Sequence, residues 1–146
     1  MKTVAQLLNA KAETNQQVHT IAPEQTVLVA LGIMAEKNVG ALPVVKDGHV
    51  IGIISERDYA RKVALKGRSS ADTLVSTIMS ERIITVSPSE SVESCMGIMT
   101  DSRLRHLPVV KDGQLIGLLS IGDLVKEAIA EQAVLIQQLE QYIRGE

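Results

Sequence analysis

Aromatic side chains are nearly absent: 146 residues contain no Trp, no Phe and only Tyr59 and Tyr142. The core must therefore be packed from Val, Ile, Leu, Ala and Met, and an RNA platform built on stacked aromatics is excluded. Cys95 is the single cysteine, which excludes an intrachain disulfide scaffold and a cysteine-based zinc site. Neither sign of charge dominates, since 15 Lys and Arg against 17 Asp and Glu leave a formal net charge of -2. That balance lacks the basic excess of a polyanion binder, so no nucleic-acid partner is expected. No apolar run approaches the ~18 residues of a membrane span. The leading stretch MKTVAQLLNAKAETNQQ has neither a long apolar region nor a small-residue cleavage site. A cytoplasmic protein without a membrane partner is the expectation.

Proline is also scarce, with four in all, and their placement leads to what is present. Pro23 and Pro43 recur as Pro88 and Pro108, a displacement of 65 positions (88 − 23 = 65). Gly52, Ser55 and Asp58 recur at the same offset as Gly117, Ser120 and Asp123, and Leu42 to Gly48 recurs residue for residue as Leu107 to Gly113. A period this long, present twice, indicates two homologous half-domains packed on each other and not a solenoid.

Each repeat opens with a short extended segment, Val18 to Ile21 or Ile83 to Val86, that Pro23 or Pro88 ends. Thr26 and Ser91 are placed to cap helices. Apolar residues then fall at i, i+3, i+4 and i+7, as Val27, Ala30, Leu31 and Met34 and as Val92, Cys95, Met96 and Met99, which predicts one buried helical face in each half. Cys95 aligns with Ala30 and reads as a small core residue, not a nucleophile. Two β-rich runs follow, Leu42 to Val45 and Val50 to Ile54, and the Asp47-Gly48 pair between them supplies the positive φ of a tight hairpin. Leu107 to Leu119 repeats the hairpin. A second helix is predicted from Asp58 to about Leu65, and a longer one from Asp123 to about Ile143.

The fold class is thus α/β (α+β), two βαββα units with extra helical segments at both ends. The expected boundaries are an N-terminal helical segment at 1–16, repeat 1 at 17–65, a polar linker at 66–81, repeat 2 at 82–130 and a C-terminal helix extension at 131–146. The ordered set of Pro, Val/Met helix, Leu-Pro-Val-Val-Lys-Asp-Gly, Ile-Gly and Ser-x-x-Asp, present twice, resembles the tandem cystathionine-β-synthase-type (CBS) domain family. The likeness spans about residues 17 to 130.

That resemblance implies a pseudo-twofold disc whose two clefts take adenosine ligands: AMP, ADP, ATP, NAD(H) or S-adenosylmethionine. It further implies that Asp58 and Asp123 hold ribose hydroxyls and that Ser55 and Ser120 lie near the phosphate. Carried onto this chain, the first site would comprise Thr20, Ile21, Ala22, Pro23, Val39, Gly40, Ala41, Pro43, Ser55, Arg57 and Asp58. The second would comprise Thr85, Val86, Ser87, Leu104, Arg105, His106, Pro108, Ser120, Gly122 and Asp123. Each site is expected to be lined by its own repeat, which would give the extra charge of Arg105 and His106 to the second.

Chemistry supports these positions independently only in part. A strand-to-helix junction offers free backbone N–H groups and a helix dipole to an anion, and a carboxylate accepts two hydrogen bonds from vicinal hydroxyls. The same Ser-x-x-Asp is equally a capping box. Phosphate-directed charge is available from Arg57, Arg61, Lys62, Lys66 and Arg68, and from Arg103, Arg105 and His106, although charge runs are usually solvated. Arg57 in a helix's first turn is unfavourable without an anionic partner. His19, His49 and His106 have no second ligand at i+3 or i+4, so no metal is expected.

The apolar stripe through Ala133, Ile136, Leu139, Tyr142 and Ile143 exceeds what one repeat needs and predicts a homodimer. The alternative is that it folds back over Val4, Leu7 and Leu8. No metal cluster, Ser-His-Asp set repeated with the fold or phosphate loop is found in the sequence, so no enzyme is expected; the resemblance implies a regulatory nucleotide sensor acting on an unidentified protein. The competing classes are a ligand-free interaction module and a nucleotide-modifying enzyme.

Overall fold

A computed structural model describes residues 2–13 and 18–145, with backbone only for Ala12 and Glu13. Met1, residues 14–17 and Glu146, which fall within the expected terminal segments and the start of repeat 1, lie outside the described residues. The elements are α1 (Val4–Glu13), α2 (Val27–Lys37), β1 (Ala41–Lys46), β2 (His49–Ser55), α3 (Glu56–Tyr59) running into a π-helical turn at Ala60–Ala64, α4 (Val75–Ile78), α5 (Val92–Ser102), β3 (His106–Lys111), β4 (Gln114–Ser120) and α6 (Ile121–Arg144). Among the described residues no helix is long and apolar enough to cross a membrane.

Local chemistry accounts for these boundaries. Thr26 and Ser91 cap α2 and α5 by accepting from the amides of Val29 and Ser94, which satisfies N–H groups that no helical carbonyl reaches. Each hairpin turns on two residues with positive φ, Asp47 at 51° and Gly48 at 79°, then Asp112 at 52° and Gly113 at 78°. This is the primed turn whose twist matches the strands. β1 pairs with β2 and β3 with β4, antiparallel, with the same bulge after Val44 and after Val109. The opening extended segments are reduced to one parallel bridge each, Ile21 to Val44 and Val86 to Val109.

There are two cores, one per half. Val27, Ala30, Met34, Leu42, Val44 and Ile54 fill the first, and Val92, Cys95, Met99, Leu107, Val109 and Leu119 the second. Of the expected helical stripes, Leu31 and Met96 are half-buried and the other members are buried.

Neither core is completed by its own leading segment. α4, within the stretch expected to be a polar linker, puts Val75 and Ile78 into the first core, while α1 puts Val4 and Leu7 into the second. Backbone bonds fix the exchange reciprocally: Val75 and Ser76 donate to Gln25 and Pro23 carbonyls, and Val4 and Ala5 donate to those of Glu90 and Pro88. Glycine makes the fit possible. A Cβ on Gly52 would stand 2.8 Å from Met79 Sδ and 2.9 Å from the Ser80 carbonyl, and one on Gly117 would stand 2.5 Å from Leu8 Cδ2. Val4, Leu7 and Leu8 are therefore covered by repeat 2, and the far end of α6 does not pack on them: Ile136, Leu139, Tyr142 and Ile143 stay 53–84% exposed.

Candidate functional site

The paired Ser-x-x-Asp motifs sit where each hairpin runs straight into a helix. Ser55 and Ser120 cap α3 and α6 in complete capping boxes. The Ser55 amide donates to Asp58 Oδ2 at 3.0 Å, Ser55 Oγ to the same oxygen at 2.9 Å, and the Asp58 amide returns to Ser55 Oγ at 3.1 Å. At the second junction the Ser120 amide donates to Asp123 Oδ2 at 2.8 Å and the Asp123 amide to Ser120 Oγ at 3.1 Å. The Glu56 and Ile121 amides are engaged by the carbonyls of Gly40 and Arg105. The amides expected to be free for an anion are thus mostly satisfied internally, and α3 has only four α-helical residues. Any attraction for an anion beside Asp58 would therefore rest chiefly on side chains.

Two clefts are formed, and each is walled by both repeats. The first, of about 700 Å³, holds Ser55, Arg57 and Asp58 against Leu104, Arg105 and His106, with Arg82 and Arg103 at its rim. The second, of about 1020 Å³, holds Ser120 and Asp123 against Val39, with His19, Lys11 and Lys37. Gly40 and His106 border both. This corrects the expectation that each site keeps to its own repeat: β2 and β4 meet across the centre, so the loop before β3 faces the motif after β2. Leu104 and Arg105 accordingly stand with Asp58, and the added positive charge belongs to the first cleft.

Other expected site residues lie elsewhere. Ile21 and Val86 are core residues, buried by their bridges to Val44 and Val109. Thr20, Ala22, Pro23, Ala41 and Pro43 line neither cleft, nor do Thr85, Ser87, Pro108 and Gly122.

Electrostatics separate the clefts further. Four guanidinium groups, Arg57, Arg82, Arg103 and Arg105, border the first with one acid, Asp58. Arg57 is held below the usual arginine range, first by Arg105 and then by Arg61, with Asp58 opposing them, which marks cations crowded together beyond what the one nearby carboxylate offsets. Arg103 adopts the left-handed conformation (φ 55°) at the position where repeat 1 has Asn38 (φ 54°); a long side chain is less suited to it than Asn. In the second cleft burial works to raise the Asp123 carboxyl, but the hydrogen bonds from Lys11 and Ser120 outweigh it and hold the group below the ordinary carboxylate value. Burial is the largest influence on His106 and lowers it; Asp123 opposes, and Lys11 and Arg105 add to the fall.

Sequence reasoning missed Lys11, Arg82 and Ser80 as cleft residues. All three come from the exchanged segments around α1 and α4, and nothing at the 65-residue offset signals them.

The two repeats carry the family signature: the CBS-domain family model matches residues 11–65 and again 75–130. The chain belongs to the CBS-domain family. As a CBS-domain pair it is similar to the mitochondrial CBS domain-containing protein CBSX3 of Arabidopsis thaliana, 47% identical over 127 residues. That match covers 84% of this chain and 62% of the relative, so the chain spans under two thirds of that relative's length. It is 33% identical over 125 residues to the CBS domain-containing protein YhcV of Bacillus subtilis (strain 168), covering 86% of this chain and 89% of YhcV. Among solved structures, a CBS-domain protein from Burkholderia ambifaria MC40-6 superposes with a TM-score of 0.83 at 50% identity, over 90% of this chain and 96% of that one. The α+β architecture, two CBS units each with a small antiparallel sheet, is that of the family.

Proposed function

We propose that this CBS pair is a cytosolic regulatory protein, not an enzyme, that binds adenine nucleotides and passes the energy or redox state they report to a partner protein. The observation that carries the reading is the first cleft, where one carboxylate, Asp58, faces four arginines across about 700 Å³. A carboxylate suits vicinal ribose hydroxyls, guanidinium forks suit phosphate oxygens, and the volume lies within the range of small-molecule sites. Asp58 Oδ2 is engaged in the capping box, while among the described residues Oδ1 pairs with Lys62, at 3.4 Å, an i,i+4 contact that a ligand can outcompete. Binding would shift a conformational equilibrium by the ligand's differential affinity for the two states.

The charge distribution favours a ligand with two or more phosphates in the first cleft, such as ADP, ATP or NAD(H). The second cleft balances Lys11 and Lys37 against Glu36 and Asp123 and favours a less charged one, such as AMP. The exposed stripe on α6 supports assembly as a homodimer with a twofold interface.

Thermal unfolding with and without millimolar ATP, AMP or NADH tests the reading, because a ligand that binds only the native state raises the melting temperature by mass action. The expected result is a rise with at least one of them that Asp58→Ala diminishes. Identical melting curves with all three would refute nucleotide binding.

A further inference from the structure

The exchanged segments correspond to each other at an offset of 71, since Leu8 lies on Gly117 as Met79 lies on Gly52 (79 − 8 = 71). By that correspondence Lys11 at the end of α1 is the counterpart of Arg82 beyond α4. The two cations behave differently. Lys11 Nζ is 2.8 Å from Asp123 Oδ2 and donates to the Leu118 carbonyl at 2.9 Å, and the paired side chains are only 24% and 23% exposed. Arg82 lines the first cleft, but among the described residues it forms no ion pair with Asp58, whose cation is Lys62 at 3.4 Å and 45% exposed. One motif carboxylate is thus paired at 2.8 Å with a largely buried lysine, while the other, itself only 17% exposed, has its lysine at the longer distance and half exposed.

We propose that Lys11 decides whether the second cleft is occupied: its ammonium holds Asp123 where ribose hydroxyls would bind, so a nucleotide enters only by displacing it. This rests on the reading of both clefts as nucleotide sites and adds an order of filling, first cleft before second. It also makes the second event visible to a partner. α1 is anchored on repeat 2 through Val4 and Leu7, which are buried, and Leu8, and Lys11 ties down the turn beyond those anchors. Displacing the lysine releases that turn, so the end of α1 reports occupancy of the second cleft only.

Calorimetric titration of the full chain with AMP tests this in an Asp58→Ala background, which leaves the second cleft as the site under study. If Lys11 competes with the ligand, adding Lys11→Met tightens AMP binding at least about tenfold, equivalent to ~1.4 kcal/mol, while Lys11→Arg, which keeps the charge, leaves it at the parent affinity. Melting curves establish that each variant is folded, and Lys11→Gln repeats the test with a polar side chain. An affinity in Lys11→Met and Lys11→Gln no tighter than the parent's, with AMP still bound by the wild type, overturns the competition and leaves the nucleotide reading standing. If the wild type itself binds no adenine nucleotide, that reading falls and the inference with it.

Discussion

Replacing Gly52 or Gly117 by alanine adds the same methyl group at equivalent positions, yet the structure assigns the two changes unequal costs. At Gly117 the new Cβ meets the tip of Leu8, with Cδ2 at 2.5 Å and Cδ1 at 3.0 Å. That half-buried side chain can change rotamer, so the cost stays near the low end of overpacking, about 1 kcal/mol. At Gly52 the neighbours are Met79 Sδ and the Ser80 carbonyl, and a carbonyl cannot step aside without moving the chain. Ser80 and Ile53 exchange two backbone hydrogen bonds, of 2.8 and 3.0 Å. Weakening that bridge adds about 1 kcal/mol per bond to the packing strain, for a total of about 3 kcal/mol. For a chain of this size each 1 kcal/mol is worth about 2–4 °C. Gly52→Ala should therefore melt roughly 6–12 °C below wild type and Gly117→Ala only about 2–4 °C below, by circular dichroism, with urea midpoints in the same order. Equal losses, or a larger loss at Gly117, would refute the assignment of Ser80 as the rigid wall.

Three further outcomes are expected. Arg103→Asn relieves a left-handed arginine and should stabilise the fold by up to about 1 kcal/mol in urea titrations, while weakening ATP binding by calorimetry; unchanged affinity would remove Arg103 from the site. Leu139→Glu with Ile136→Glu, on the exposed face of α6, should convert the dimer to a monomer by light scattering, and a wild type that is already monomeric at micromolar concentration contradicts the interface. His106 is held below its ordinary value by burial, so on acidification the unfolded chain takes up its proton first. Stability should fall as the pH drops below about 6.5, and His106→Gln should flatten that limb; a profile unaltered by the substitution would show that the imidazole is not the titrating group.

Much of the fold was legible because its signals are local. The caps at Thr26 and Ser91, the Asp-Gly hairpins and the buried helical faces each depend on residues within one turn or one loop. The repeat doubled every such signal. The exchange of α1 and α4 was not legible, since the 65-residue offset that aligns the repeats does not align Lys11 with Arg82. Val75 and Ile78 lie next to a polar stretch that reads as a linker, and their burial depends on the first core, which exists only once the hairpin has folded. The site was half legible for the same reason. Ser55, Asp58, Ser120 and Asp123 announce themselves by local capping chemistry. Which loop faces them is set by the contact of β2 with β4, and this placed Arg105 opposite Asp58 instead of Asp123.

Amide chemical-shift mapping of the wild-type protein titrated with ATP shows whether the cleft between Asp58 and the arginines takes an adenine nucleotide. The largest shifts should fall on Ser55 to Asp58 and on Arg103 to His106, from opposite repeats at once, and Asp58→Ala should abolish them. Shifts centred elsewhere, or none at millimolar ATP, would contradict binding there.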